Sequence, residues 1–295
     1  MRITTNLFAA VGAVLTMASC GQNRPASVPQ VEILTNDSIA YCESVLADGD
    51  RLLVCTDELN PLNTEGKGYV LEWKDGTFRT LIPADGNLSG PKGTLIKDSH
   101  LFIADVGKMV VYNLDTLSQA PQVVPFPEGE LFVNDMALAG DTLYVTVTNT
   151  GNIYSLDVSA PSKLDPQALT LYTNVPGANG IVLRDDVMYV ASYPPDGVTT
   201  DKNVIYEIGD IRMPHPAPLT DRAGQYDGLA LSGDGQRLYF TSWVNGEVGY
   251  WNFQNRSVQL LDLADVELSG PARIALRDGV LYIPDLPASR IVIVR

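Results

Sequence analysis

One short unit recurs six times along the chain, and its repetition limits the fold more than any other feature. Each copy reads as a turn, an apolar strand, a tight turn and an aromatic-rich strand. The copies are YCESVLADGDRLLV, GPKGTLIKDSHLFI, FVNDMALAGDTLYV, GANGIVLRDDVMYV, QYDGLALSGDGQRLYF and GPARIALRDGVLYI. One position stands just ahead of each first strand: Glu43, Lys92, Asn134, Asn179, Asp227 and Ala272. In five units it lies ten residues before the key residue of the second strand (Leu53, Phe102, Tyr144, Tyr189, Tyr282). In the fifth unit the longer turn Ser232-Gly233-Asp234-Gly235-Gln236 puts Asp227 twelve before Tyr239.

The spacings between these anchors are 49, 42, 45, 48 and 45 residues. Repeats of that period, each with several short strands, are the sequence sign of a β-propeller. Unit four shows its strands as Ile181-Val182-Leu183, Met188 to Ser192, Val204 to Ile208 and Ala217 to Thr220, and no long stretch has helical periodicity. The expected fold class is all-β, a six-bladed propeller of four-stranded blades over residues 31–295. The chain ends at Ile291-Val292-Ile293-Val294-Arg295, a third strand without a fourth. Val31-Glu32-Ile33-Leu34 matches the fourth-strand pattern of Val258-Gln259-Leu260-Leu261 and is expected to complete the last blade, closing the ring and removing exposed edges.

Radial arrangement would gather the six anchors at one end of the channel. The loops after the second strands lie at that same end, and they are longest at Asp57 to Lys67 and Tyr193 to Asn203. Two carboxylates, Glu43 and Asp227, and two amide carbonyls, Asn134 and Asn179, would make a hard, oxygen-only site. Such a site suits one divalent cation: Ca²⁺ first, with Mg²⁺, Mn²⁺ or Zn²⁺ as alternatives. Asn-Gly and Asp-Gly are also ordinary turn formers. Glu43 is not, and all four fall in register. Lys92 leaves three orientations open: outward as a surface lysine, toward a substrate carboxylate, or down the channel against a metal. Tyr193 and Trp243 follow second strands at the rim and can present aromatic faces to a ligand. Asp105 and Asp285 end second strands, where hydrogen bonds to the blade turns are expected. His100, in a turn, and His215, in a Pro-rich linker, are expected at the surface.

Composition narrows the partners. The 295-residue chain carries a formal net charge of −15, which repels phosphate backbones and anionic lipid, so no nucleic-acid partner is expected. Arg2, an apolar run from Leu7 to Met17 and Met17-Ala18-Ser19-Cys20 form an export signal, too short to span a bilayer. The residues before Cys20 resemble a bacterial lipobox. That resemblance implies a lipoprotein signal peptide over 1–19, an acylated Cys20 with a tether over 20–30, and an envelope or outer-membrane location; an ordinary secretory signal is the alternative. The membrane contact would then be the lipid anchor alone, and no oligomerisation seam is recognisable, so a monomer is expected. A two-residue turn at Asp48-Gly49 would set Cys42 opposite Cys55, leaving a disulfide or two buried thiols open.

The pattern resembles the regucalcin/gluconolactonase family of six-bladed propellers. In that family a Glu opening the first blade, an Asn of an Asn-Gly pair and an Asp of an Asp-Gly pair hold a divalent ion, corresponding to Glu43, Asn179-Gly180 and Asp227-Gly228. A further Asn near metal and substrate matches Asn134-Asp135. The resemblance implies a lactone substrate and Asp227 as general base. The family's substrate-side Arg is replaced by Phe132, which points to a less polar substrate. It also leaves a second reading open: a non-catalytic propeller that binds or scaffolds around a structural metal.

Overall fold

The computed structural model describes residues 29–56 and 63–295. The lipobox, Cys20 and most of the tether fall outside the described residues, as does part of the first long loop. Six antiparallel sheets of four strands follow one another around a ring. The first blade is built from Ser44–Asp48, Arg51–Thr56, Tyr69–Lys74 and Thr77–Ile82. The last is built from Ala275–Arg277, Val280–Asp285 and Arg290–Val294, and Val31–Thr35 supplies its fourth strand. The closing register runs from Val31 opposite Val294 to Thr35 opposite Arg290. Mutual backbone bonds between Gln30 and Arg295 (3.1 and 2.9 Å) and an Arg295–Glu32 ion pair at 2.6 Å extend it. Two short 3-10 turns are the only helical segments among the described residues, and no helix there is long and apolar enough to cross a membrane.

The core is divided. Six apolar clusters lie between successive blades, so each middle strand buries both of its faces. In Arg51–Thr56, Leu52 and Val54 pack toward the last blade, whereas Leu53 and Cys55 pack toward the second. Burial on both faces explains why segments such as Leu101-Phe102-Ile103-Ala104 run apolar without alternation.

Two expectations fail here. The hairpin of the first blade pairs Asp48 with Arg51, so the turn residues are Gly49 and Asp50, not Asp48 and Gly49. Gly49 supplies the positive φ (54°) that such a turn needs at its first position. The shift sets Cys55 opposite Ser44, and Cys42 lies outside the strand in a different inter-blade cluster. Both thiols are free and buried, and burial pushes each up to about 12, so they act as small apolar fillers. His100 is also not at the surface. Asp98 and Ser99 take the two positive-φ turn positions (46° and 58°), which places His100 inside the next strand, buried, with Nδ1 2.7 Å from the Asp98 carbonyl. His215 is exposed as expected.

Candidate functional site

The six anchor positions do converge. Hydrogen bonds pass from blade to blade through their carbonyls. Ser44 Oγ donates to Lys92 O (2.5 Å), Gly93 N to Asn134 O (2.8 Å), and Thr146 Oγ1 to Asn179 O (2.6 Å). Thr241 Oγ1 donates to Ala272 O (3.0 Å) and Arg273 N to Glu43 O (3.1 Å), which carries the belt back to the first blade.

Local backbone irregularity aims the side chains. In blades three, four and five the ladder slips by one residue at Val133/Met136, Ala178/Ile181 and Tyr226/Leu229. Each slip is a β-bulge that sets two residues (Asn134-Asp135, Asn179-Gly180, Asp227-Gly228) against one on the next strand. Thr146 and Thr241 sit opposite two of these bulges. They accept from Asp135 N (3.0 Å) and Gly228 N (2.7 Å) and pass a hydrogen bond on to the next blade. The glycines here serve close approach. A Cβ on Gly180 would lie 2.2 Å from Asp227 O, and one on Gly228 2.5 Å from Ile274 N.

The space beneath the anchors is filled by an ion pair absent from the sequence reading. Arg273, from the sixth blade, donates through Nε to Asp135 Oδ1 of the third (2.5 Å). Its Nη1 donates to Val45 O (3.2 Å) and its Nη2 to Thr94 O (3.1 Å), in the first and second blades. Asp135 Oδ2 accepts from Ile181 N of the fourth blade (3.2 Å). One largely buried pair, Asp135 1% and Arg273 13% exposed, therefore ties five blades together across the axis and closes the channel below the ring. Its sequence signal is the residue after each anchor: Ser44, Gly93, Asp135, Gly180, Gly228, Arg273. The only two charges have opposite sign and come from opposite blades of a six-fold ring, with glycines on three others making room.

Above this plug lies a cavity of about 130 Å³. Glu43, Lys92, Asn134, Asn179 and Asp227 line its floor, all buried. Phe132, Tyr193, Pro195, Trp243 and Leu286 form the walls, and Thr148, whose hydroxyl donates to Ala178 O (3.0 Å), is also at the lining. Lys92 does not turn outward: it is 1% exposed, its Nζ donates to Gly90 O (2.7 Å) and lies 5.5 Å from the Phe132 ring centroid. Ala272 is buried but does not line the cavity. Asp105 and Asp285 stay outside it and anchor turns. Asp105 accepts from Ser89 N and Gly90 N (Oδ1–Gly90 N, 2.7 Å), and Asp285 Oδ1 accepts from Ser269 N (2.8 Å) and Gly270 N (2.9 Å). Pro195 and Leu286 fall in loops expected at this end, but neither they nor Thr148 stood out individually, because an apolar or hydroxyl residue in a loop carries no distinguishing signal.

The floor is electrostatically loaded. Burial raises the Glu43 carboxyl from its ordinary 4.5 to about 7, with Lys92 and Arg273 opposing and Asp135 adding to the rise. Burial, then the charges of Glu43 and Asp135, push Asp227 well above the usual carboxylate range, against a hydrogen bond from Asn179 and the charge of Lys92. Burial also lifts the Tyr193 hydroxyl to about 12. Three floor oxygens, Asn134 Oδ1, Asn179 Oδ1 and Asp227 Oδ1, are buried without a hydrogen-bond partner. Larger recesses of about 430 Å³ beside Glu247 and about 610 Å³ beside Arg222 contain none of these orphaned oxygens.

Fold and site together define the class: a six-bladed β-propeller with an oxygen-floored pocket at one end of a plugged channel. Comparison with family models and with curated proteins gives no match. Among solved structures the chain is similar to a protein of unknown function from Bacteroides thetaiotaomicron VPI-5482, with TM-score 0.63 and 15% identity over 89% of this chain and 72% of that one. It is similar to a streptogramin B lyase, with TM-score 0.62 and 12% identity over 90% and 97% of the two chains. A nidogen/laminin complex matches with TM-score 0.59 and 14% identity over 77% and 89%. At these identities the likeness is one of fold; it does not establish the regucalcin/gluconolactonase family.

Proposed function

We propose that the protein is a metal-dependent hydrolase of the gluconolactonase type, opening a lactone or a related ester, with a divalent cation held by Glu43, Asn134, Asn179 and Asp227. The observation that carries this reading is the trio of orphaned oxygens facing one cavity. Each buried acceptor left unpaired costs about 1–3 kcal/mol, and a hard cation among them would offset all three. Among the described residues no group of three or more His, Cys, Asp or Glu is placed to hold a metal. The amide oxygens must therefore share the task, which suits Ca²⁺ before softer ions.

When bound, the cation would polarise the substrate carbonyl and stabilise charge developing on its oxygen. Asp227 would take a proton from the attacking water: burial and the charge of Glu43 raise its proton affinity in the cation-free protein, and a bound cation would hold it ionised, as a base must be. The water oxygen bonds to the carbonyl carbon, the ring C–O bond breaks, and the proton passes to the departing alkoxide, leaving a hydroxy-acid. Asn179 orients Asp227 through their hydrogen bond. Asn134 steadies the substrate carbonyl, and the Lys92 ammonium faces the carboxylate of the product. The walls keep bulk water away.

The test is hydrolysis of a panel of aliphatic, aromatic and sugar lactones by metal-stripped protein reloaded with Ca²⁺, Mg²⁺, Mn²⁺ or Zn²⁺. Asp227→Asn should lower turnover by at least roughly a hundredfold, the usual worth of a general base. Glu43→Gln and Asn179→Ala should raise the metal concentration needed. Full activity in Asp227→Asn would remove the assigned base. The buried Lys92 favours a second reading, in which its fixed positive charge balances the carboxylates of a binding or scaffold propeller. Metal binding without turnover on any lactone would select that reading.

A further inference from the structure

The cavity is divided by chemistry as well as by depth. Among the described residues its charged and amide groups all lie on the floor, and the wall is Phe132, Tyr193, Pro195, Trp243 and Leu286, with the Thr148 hydroxyl turned to a backbone carbonyl. About 130 Å³ accommodates roughly six to eight non-hydrogen atoms at the packing density of a protein interior. A single five-membered lactone ring fills it. Any larger substituent must leave along the wall, where it would meet two aromatic rings, an indole and two aliphatic side chains. Past the wall, single apolar side chains stand exposed among polar neighbours such as Asp196 and Asn245. Leu131, adjacent to Phe132, is 57% exposed; Val244, adjacent to Trp243, is 64% exposed; and Val198, three residues past Pro195, is 62% exposed. A substrate bearing several hydroxyls would give up its water there for few partners, at a cost per unpaired group of about 1–3 kcal/mol.

We infer that the ligand of this site is an amphiphile: a small carbonyl-bearing ring seated on the polar floor, with an apolar alkyl or aryl tail that runs out along Phe132, Trp243 and Leu286. The inference rests on the hydrolase reading for its ester chemistry, but the tail-binding wall does not depend on turnover. It assigns specificity to Phe132 and Trp243: the tail, rather than the head, discriminates one lactone from another. A polyhydroxylated sugar lactone is disfavoured.

The test uses 2-alkylcyclopentanones, which carry the small ring and carbonyl and are not hydrolysed. Their binding to the folded protein is followed by calorimetry, with and without Ca²⁺, for tails from one to seven carbons. Burial of a methylene predicts affinity rising roughly three- to fourfold per added carbon until the tail passes the rim. Phe132→Ser and Trp243→Ser should flatten the gradient, whereas Met213→Ser, an exposed residue at the opposite end, should leave it intact. 1,5-Gluconolactam should bind more weakly than the heptyl ketone. A flat series, absence of ketone binding, or tighter gluconolactam binding would overturn the inference even if lactone turnover is found. A steep gradient without lactone turnover would uphold it and remove the hydrolase reading alone.

Discussion

Single residues in this ring answer to their surroundings more than to their identity. Glu43 holds a proton up to about pH 7 because burial penalises its charge, and Asp227 is shifted in the same direction. The sign for stability follows. Between the ordinary 4.5 and about 7, folded protein keeps a proton on Glu43 that the unfolded chain releases. Cation-free protein should therefore lose stability as pH rises across that window, with no contribution from this group below it and a constant penalty above. A bound cation favours the ionised carboxylates and opposes the trend. Thermal unfolding from pH 4 to 8 in EDTA should show a steeper decline for the wild type than for Glu43→Gln, and added Ca²⁺ should stabilise more at pH 8 than at pH 5. A wild-type profile that rises relative to Glu43→Gln would contradict the assignment. The anchor pattern was legible at this scale. The direction of Lys92 was not, since an isolated lysine in a sequence has no partner, and only the folded chain supplies Gly90 O and the Phe132 ring.

Among the elements, the bulged inner strands decide the geometry of the site. A regular ladder would alternate faces, and Asn134, Asn179 and Asp227 would then be fixed by pleat alone. The extra residue in each strand breaks that alternation, and the glycines let neighbouring strands close around it. Gly180→Ala should thus destabilise the fold by about 1–3 kcal/mol through overpacking against Asp227 O. Gly233→Ala, where an added Cβ meets nothing within 4 Å, should stay within about 0.5 kcal/mol. Urea unfolding of both variants checks the pair, and equal stabilities would show that the close approach is not limiting. In the sequence, Asn-Gly and Asp-Gly read equally well as turn formers. The physical reason for their glycines is instead strand-to-strand contact in three dimensions. The first-blade hairpin shows the same limit, because moving the turn by one residue re-pairs every residue in it and separates Cys42 from Cys55.

The whole molecule is held by closure and by the axial plug. Val31–Thr35 is the strand farthest in sequence from its partner, Arg290–Val294, and without it the last blade would expose an edge. Removing residues 30–36 should lower the unfolding temperature by on the order of 10 °C or abolish a single cooperative transition, given that each kcal/mol is worth about 2–4 °C in a chain of this size. Unchanged thermal unfolding would refute closure as a source of stability.

The repeat by itself determined the blade count, the closing strand and the ring of anchors, because those follow from period and apolar pattern, which are local properties of the chain. Tertiary structure alone decided that Lys92 faces inward, that the two thiols sit in separate cores, and that Asp135 and Arg273 meet across the axis. These depend on residues far apart in the chain, 138 positions for Asp135 and Arg273 and 248 for Cys42 and Arg290, and on exact turn placement. A periodic pattern constrains which face a residue takes, but not which distant residue lies opposite.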